Sequence, residues 1–583
     1  MNAIKKYILL FTLLTLSIVI VACGGDSKDS SEPNETGTSG EPEYGGTVVG
    51  TLEEAPGGVF NPIFYTDLYE EKMLEFTHEG LVRQDEELNF SAQLAKDWEI
   101  NEDQTEITFT LEDDVTWHDG EKFTADDVVF TYQTLMDPEY VAAGGLRTLF
   151  VEPLLDYEAY SSGETDTFEA VVAEDEKTVT FKFENSNPNL LYYTSFPLIP
   201  KHIYEDIPIS DMLESPYSLD PEKVIGTGPF EFASMVDRES YEMVRYDDYW
   251  QGKPYLDKVV WKVVDPSVMV GLLDKGELDF IASPSDIPEG DFEQVSSNDD
   301  IEIIKQTDFS LKVLGFKLNH RTTDDVQNNV INPDNWQVNE KIANQNVRQA
   351  IAYAINREGI VNGLLFGIGE IVESPIPQQF WAHNDEVVNH YDFDPEKAKS
   401  ILDEEGYVDV TGDGMREDPN GDEWVLNLDT SSRDDRLGPI IQEQLEDVGI
   451  KVNLRQPKEF SAFLVDIEND NSDWDLYLIG WGLNHRDPDP SEVWSIMTPY
   501  NYARWNNKEA DELLKQAMEG PDSFDQEYRE KVYAEWQKEF SEDLPELILY
   551  AEEALWAHNK RLQGVESLPY SMYHNVHKWW VND

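Results

Sequence analysis

The sequence predicts an α/β protein with more than one compact unit. Two observations predict the class. A helix, a glycine and then a strand follow one another repeatedly in the second half, and the run Leu476-Tyr477-Leu478-Ile479 is apolar on both faces, as a covered central strand must be. A third sets the number of units, because 583 residues exceed what one hydrophobic core accommodates.

Taken in order, alternating apolar residues predict strands at Thr47 to Leu52, at Ile107, Phe109 and Leu111, and at Val179, Phe181 and Phe183, so the first half is β-rich. Helices enter from about Gln345. Val347, Ala350, Ile351, Ala354 and Ile355 share one helical face, with Asn346 as the expected cap. Asp394 and Pro395 open the next helix, Ala398, Ile401 and Leu402 form its stripe, and Gly406 closes it. Ile440, Ile441, Leu445 and Val448 lead to Gly449, after which Ile450, Val452 and Leu454 alternate as a strand. The Leu476 strand runs into Gly480-Trp481-Gly482. Ligands of open α/β sheets bind beyond the carboxyl ends of strands, which makes this loop the first candidate site.

The N-terminus predicts the compartment. Lys5 and Lys6 precede an apolar run, Tyr7 to Val21, too short to span a bilayer, so residues 1–22 read as a signal peptide. Ile20-Val21-Ala22-Cys23 resembles the bacterial lipobox, with Cys23 as the lipidated residue and residues 23–43 as a flexible tether. A lipid anchor on the extracytoplasmic face of the cell membrane is therefore expected. Cys23 is the only cysteine, which leaves neither an internal disulfide nor a cysteine metal cluster. The 118 acidic against 43 basic residues, a formal charge of −75, disfavour nucleic acid and anionic membrane surfaces as partners and read as a solvated acidic coat.

Several long motifs resemble the bacterial extracellular solute-binding proteins of the oligopeptide, dipeptide and nickel group. They are the stretch Phe109 to Phe130 with Trp117-His118-Asp119-Gly120, then Ile225-Gly226-Thr227-Gly228-Pro229-Phe230, Tyr249 to Asp257, Val347 to Arg357, and Lys578-Trp579-Trp580. Within that group the chain is most similar to the App/Opp-type lipoproteins of Bacillus-like bacteria. The resemblance implies a periplasmic-binding-protein-like two-lobe fold (type II, cluster C) with an inserted domain. Residues 44–80, 220–307 and 545–583 would form lobe I, 81–219 the insert and 308–544 lobe II. It implies a monomeric binder, without cofactor, that captures oligopeptides and delivers them to the permease and ATPase subunits of an ABC importer.

On the same resemblance Gly480, Trp481, Gly482, Leu483 and Asn484 occupy the segment that pairs with a peptide backbone. Asn484 stands where well-known relatives carry an aspartate that holds the ligand's ammonium group, and an amide supplies no charge. Asp487 or Asp489 would substitute if the loop were displaced; both also suit turns beside Pro488 and Pro490. Asn61, Pro62 and Tyr65 follow the first strand, where the family places residues of the opposite lobe, and Trp381, Arg504 and Trp505 are further candidates. Asp409, Thr411 and Asp413 resemble the start of a calcium loop, but Asn420 replaces its closing glutamate, so a metal-free turn is expected. A hydrolase is the rival from another class, yet the chain has no His-Glu-x-x-His helix, nucleophile elbow or P-loop. His118 has no nameable catalytic partner, and His574 with His577 is a weak pair on a helix. A second rival keeps the fold and changes the cargo to an oligosaccharide or another solute.

Overall fold

A computed structural model describes residues 41–582 apart from 285, 286, 288, 471 and 472. The expected signal peptide, Cys23 and the expected tether up to residue 40 lie outside the described residues. Three sheets organise the rest. Thr47–Leu52 pairs in parallel with Lys258–Val263, and Ser240–Arg245 and Phe230–Val236 extend that sheet antiparallel. A second, antiparallel sheet has the order Ala95–Ile100, Glu106–Leu111, Thr178–Lys182, Val171–Asp175, with helix Ala125–Met136 packed on it. The third sheet has six strands in the order Gly369–Glu370, Glu546–Asn559, Ile301–Phe316, Leu476–Gly482, Val425–Asp429, Lys451–Leu454.

Each sheet faces a buried core of its own. Val48, Phe76, Trp261, Phe280 and Trp579 fill the first, with Phe76 edge-on to both tryptophans, contacts worth ~0.5–1.5 kcal/mol each beyond their buried area. Phe109, Trp117, Tyr132 and Phe181 fill the second. The third joins Phe316, Ile351, Leu402, Leu426, Trp474 and Trp536. Two long strands connect first and third: Ile301–Thr307 pairs with Glu553–Asn559 beside the first core, and Leu311–Gly315 pairs with Glu546–Ala551 inside the third. Their register shifts between Thr307 and Leu311, where the paired strands leave one core for the other. The crossing in the Glu546–Asn559 strand is a correction to the expected lobe boundary at 545. Leu547, Ile548, Leu549, Tyr550 and Ala551 are buried in the third core, because the strand keeps its pairing until the register shift.

The family-like motifs have packing reasons. A Cβ at Gly226 would lie 1.8 Å from the Thr77 carbonyl oxygen and one at Gly228 2.6 Å from that of Phe76, so two backbones touch there. His118 joins two motifs: its Nδ1 accepts from the Gly226 amide at 3.1 Å and its Nε2 lies 3.0 Å from the Gly228 carbonyl. That pairing requires the neutral Nε2–H imidazole, and burial pushes its pKa down to about 4. The residue is a strut. Helix caps follow the expected chemistry with one displacement. Asp394 caps Pro395–Glu404, and Gly406 follows with φ +86. The helix Gln345–Ala354 is capped by Asn344, whose side chain accepts from the Asn346 amide at 3.0 Å, so Asn346 lies inside the first turn.

Candidate functional site

The Leu476–Gly482 strand pairs along its length with Ile301–Phe316, but with Val425–Asp429 only at Leu476 and Tyr477. Beyond Tyr477 one edge has no partner strand among the described residues. The Leu483 amide donates to the Phe309 carbonyl at 3.0 Å, and bonded and non-bonded pairs alternate in an antiparallel ladder. Trp481 therefore faces its partner strand, while Gly480 and Gly482 turn N–H and C=O toward the open edge. Both glycines are exposed, and neither packing nor φ requires them: a Cβ at Gly482 meets nothing within 4 Å, and at Gly480 the nearest atom is 3.9 Å away. Bare backbone is thus presented to whatever enters from that side.

Trp481 fixes the strand from below. Its indole N–H donates to Glu546 Oε2 at 3.0 Å, as does that of Trp494 at 2.9 Å, and the Tyr477 hydroxyl donates to Glu546 Oε1 at 2.5 Å. Glu546 is fully enclosed, and burial raises its pKa against the lowering effect of these donors.

Three cavities adjoin the open edge. The first, about 230 Å³, is walled by Phe380, Trp481, Leu483, Asn484, Asp489 and Tyr500. The second, about 350 Å³, begins at Gly480 and holds Lys312, Arg433, Arg436, Phe460 and Tyr550. Lys312 is ion-paired with Asp434, whereas the Arg433 guanidinium stacks 3.8 Å from the Phe460 ring centre. The third, about 570 Å³, includes Tyr65, Arg83, Tyr192, His485, His574 and His577. His485 belongs to the loop after Gly482. Its Nδ1 lies 2.9 Å from Gln84 Oε1, its carbonyl accepts from Gln84 Nε2 at 2.8 Å, and its ring stacks on Tyr570 at 3.9 Å.

The sequence-derived residues divide accordingly. Gly480, Trp481, Gly482, Leu483, Asn484 and Asp487 come together on the first two cavities, and Pro62 and Tyr65 on the third, with Arg147 over the Tyr65 ring at 3.9 Å. Asn484 accepts from the Arg486 amide at 3.1 Å, shaping the turn. Asp487 is already neutralised: Arg529 Nη2 lies 2.6 and 2.8 Å from its two oxygens, and both side chains are buried. Asp489 is pushed up to about 6 by burial and then by Asp487, and it accepts from Ser491. Asp487 is thus spent on a cation, while Asp489, beside the first cavity, is held by Ser491 and makes no ion pair among the described residues.

Four candidates are corrected. Asn61 is fully buried, donating to Tyr204 and Ser218 and accepting from the Ile63 amide. Arg504 is 2 % exposed and converges with Lys317 and Arg321 on Asp470. Trp505 is buried, its indole donating to Asp543 at 2.8 Å. Trp381 packs beside Tyr533 and Arg529 and lines none of the three cavities. His574 and His577 sit on a strand and a 3₁₀ turn, so they share no helical face. The sequence reading missed Arg433, Arg436 and Tyr550, although the rule that pointed to Gly480 also points to Arg433, just past the carboxyl end of Val425–Asp429.

The Asp409 oxygens accept from the Gly412 and Gly414 amides at 2.6 and 3.0 Å, and Asp413 accepts from Met415. The turn consumes its own carboxylates, so a chelator is expected to leave the melting temperature unchanged; a drop restored by calcium would refute this. Burial pushes His574 and His577 each down to about 4, with Lys578 and Arg83 adding to the effect against Glu566. An unfolded imidazole takes up a proton near pH 6.5, so these two contribute stability that is lost as pH falls from about 6.5 toward 4. Replacing both by glutamine is expected to make melting less sensitive to acidification between pH 7.5 and 5. Parallel melting-temperature profiles for the two proteins would contradict the assignment.

Among the described residues no helix is long and apolar enough to cross a membrane. The chain is similar over 98% of its length, and of the relative's, to the oligopeptide-binding protein AppA of Bacillus subtilis (strain 168), at 29% identity. The solved structure of AppA from Bacillus subtilis in complex with a nonapeptide matches with a TM-score of 0.63 at 27% identity, covering 93% of this chain and all of that one. The oligopeptide-binding protein OppA of Lactococcus lactis subsp. cremoris (strain SK11) is 26% identical over 79% of this chain and 77% of its own. Residues 89–503 match the family model described as bacterial extracellular solute-binding proteins, family 5 Middle. A free strand edge between cavities, in a chain matched over most of its length, is that of a binder with two lobes: the protein belongs to the bacterial extracellular solute-binding proteins of family 5.

Proposed function

We propose that this chain is the substrate-binding lipoprotein of an ABC importer, which captures oligopeptides outside the membrane and delivers them to the permease. One observation carries the reading: the N–H and C=O groups of Gly480 and Gly482 face an edge with no partner strand. An extended peptide completes such an edge with its main chain, which every sequence possesses, while cavities of about 230, 350 and 570 Å³ take its side chains. The AppA relative, solved with a nonapeptide, supports this cargo. The ligand is bound and released unaltered. Closure of the lobes is a shift between open and closed populations, driven by the contacts that the closed state adds. Cys23 carries the lipid anchor and a single copy suffices; a Cys23→Ser chain should leave the membrane fraction.

Native mass spectrometry of freshly purified protein, followed by titration calorimetry with a peptide mixture, tests the cargo. Co-purified glycans, or no heat and no thermal shift with peptides, would sink it. Because Asp487 is spent on Arg529, Asn484 carries no charge and both Asp489 oxygens are held by Ser491, N-acetylating a bound peptide is expected to change its affinity by less than about threefold. A hundredfold loss would reveal a charge partner for the ammonium group.

A further inference from the structure

Arg83 stands out in a chain with 118 acidic and 43 basic residues. Other enclosed guanidiniums are engaged: Arg357 with Glu373, Arg504 with Asp470, Arg529 with Asp487, and Arg348 with four backbone carbonyls. Arg83, on the short strand Val82–Gln84, has its Nε shut away from solvent with no acceptor, and its guanidinium makes no ion pair among the described residues. It lines the 570 Å³ cavity together with His574 and His577, whose imidazoles donate to no other residue among those described. The side chain is half-buried and its charge acts on the nearby Glu79, but a buried N–H without an acceptor is costly, so the Arg83 Nε points to a partner that arrives with the ligand.

We propose that this cavity holds a carboxylate of the bound ligand against the Arg83 guanidinium, with His574 and His577 as flanking donors. The inference rests on the oligopeptide reading and deepens it, since the preferred cargo then carries an acidic side chain or a free C-terminus in the cavity. The carboxylates already in the wall make no hydrogen bond or ion pair to Arg83. Glu71 accepts from the Tyr65 hydroxyl at 2.8 Å, Glu79, which feels the Arg83 charge, accepts from the Tyr249 hydroxyl at 2.8 Å and the Trp250 indole at 3.1 Å, and Glu75 accepts from Ser571 at 3.1 Å and is pushed up to about 7 by burial. Both imidazoles are neutral at pH 7, so each has one N–H to give. Charge-assisted bonds from a guanidinium distinguish a carboxylate from its amide isostere, whose NH₂ meets donors with a donor. The cavity adjoins the open edge through His485, three residues beyond Gly482.

The test compares peptides that differ only by Glu or Gln at each position in turn, and by a free or amidated C-terminus, titrated into the mature chain and its R83Q and R83K variants. One carboxylate, internal or terminal, is expected to improve affinity about tenfold over its amide in the parent protein, equivalent to ~1.4 kcal/mol. The ratio should fall to near unity in R83Q and be kept in part by R83K. H577Q is a second variant that leaves Arg83 in place and should lower the ratio about threefold. No carboxylate preference in the parent, or an undiminished one in R83Q, overturns the site. N-acetylglutamate against N-acetylglutamine, followed by thermal melting, reads the cavity independently of peptide binding. A stabilisation specific to the acid and lost in R83Q supports the site even if no peptide binds, a result that would remove the oligopeptide reading alone. Equal responses to both compounds, with no peptide bound, overturn both.

Discussion

A Gly482→Pro chain is expected to fold and to bind peptide roughly 5–150-fold more weakly, the equivalent of about 1–3 kcal/mol for a ligand carbonyl left without its donor. The N–H at 482 points away from the Ile301–Phe316 strand, so its loss costs no ladder hydrogen bond, and proline is tolerated where a strand's N–H faces an open edge. The φ of Gly482 lies outside the left-handed region and the preceding Trp481 is already extended, as a residue before proline must be. Gly482→Ala keeps the donor, places its Cβ in open space and should retain most of the affinity. Calorimetry with a single peptide, alongside melting curves for both variants, checks the pair. Equal affinities for the proline variant and the parent would show that the ligand does not use this edge.

Glu546→Leu is expected to lower stability by roughly 3–6 kcal/mol, a large share of the ~5–15 kcal/mol typical of folded proteins. Three buried donors, the Tyr477 hydroxyl and the Trp481 and Trp494 indoles, would lose their common acceptor. Trp481 would also lose its anchor, so peptide affinity should fall with stability. Glu546→Gln separates charge from hydrogen bonding. Its amide oxygen can serve both indoles while its NH₂ donates to the Tyr477 oxygen, burying no charge at the cost of the acceptor for the Tyr477 proton; it should lose far less stability than the Leu variant. Thermal unfolding followed by tryptophan fluorescence distinguishes them, and coincident curves for the Leu and Gln variants would show that Glu546 is not the hub of this cluster.

Arg504 shows why part of the site escaped the sequence reading. Its composition and position suited a cleft, but its partner, Asp470, lies 34 residues back and is shared with Lys317 and Arg321 from another strand end. Nothing local marks such a convergence. Asn61 is similar, since Tyr204 and Ser218, which use its amide, lie 143 and 157 residues away. Gly480 and Gly482 were legible because their signal is local: an apolar strand that ends in glycines beside an α/β crevice. Arg83 had no sequence signal, for an unpaired cation is recognised only when its whole surroundings are known.

The α/β class, the strand at Thr47–Leu52, the capped helix Pro395–Glu404 and the glycine-ended strand of the site follow from local pattern alone, because side-chain periodicity and capping act over a few residues. Which edge stays open, where the paired strands leave one core for the other and which charges find partners emerge in the folded chain. Those outcomes depend on free energies of desolvation and pairing between residues far apart in the chain, and a pattern of neighbours carries no record of them.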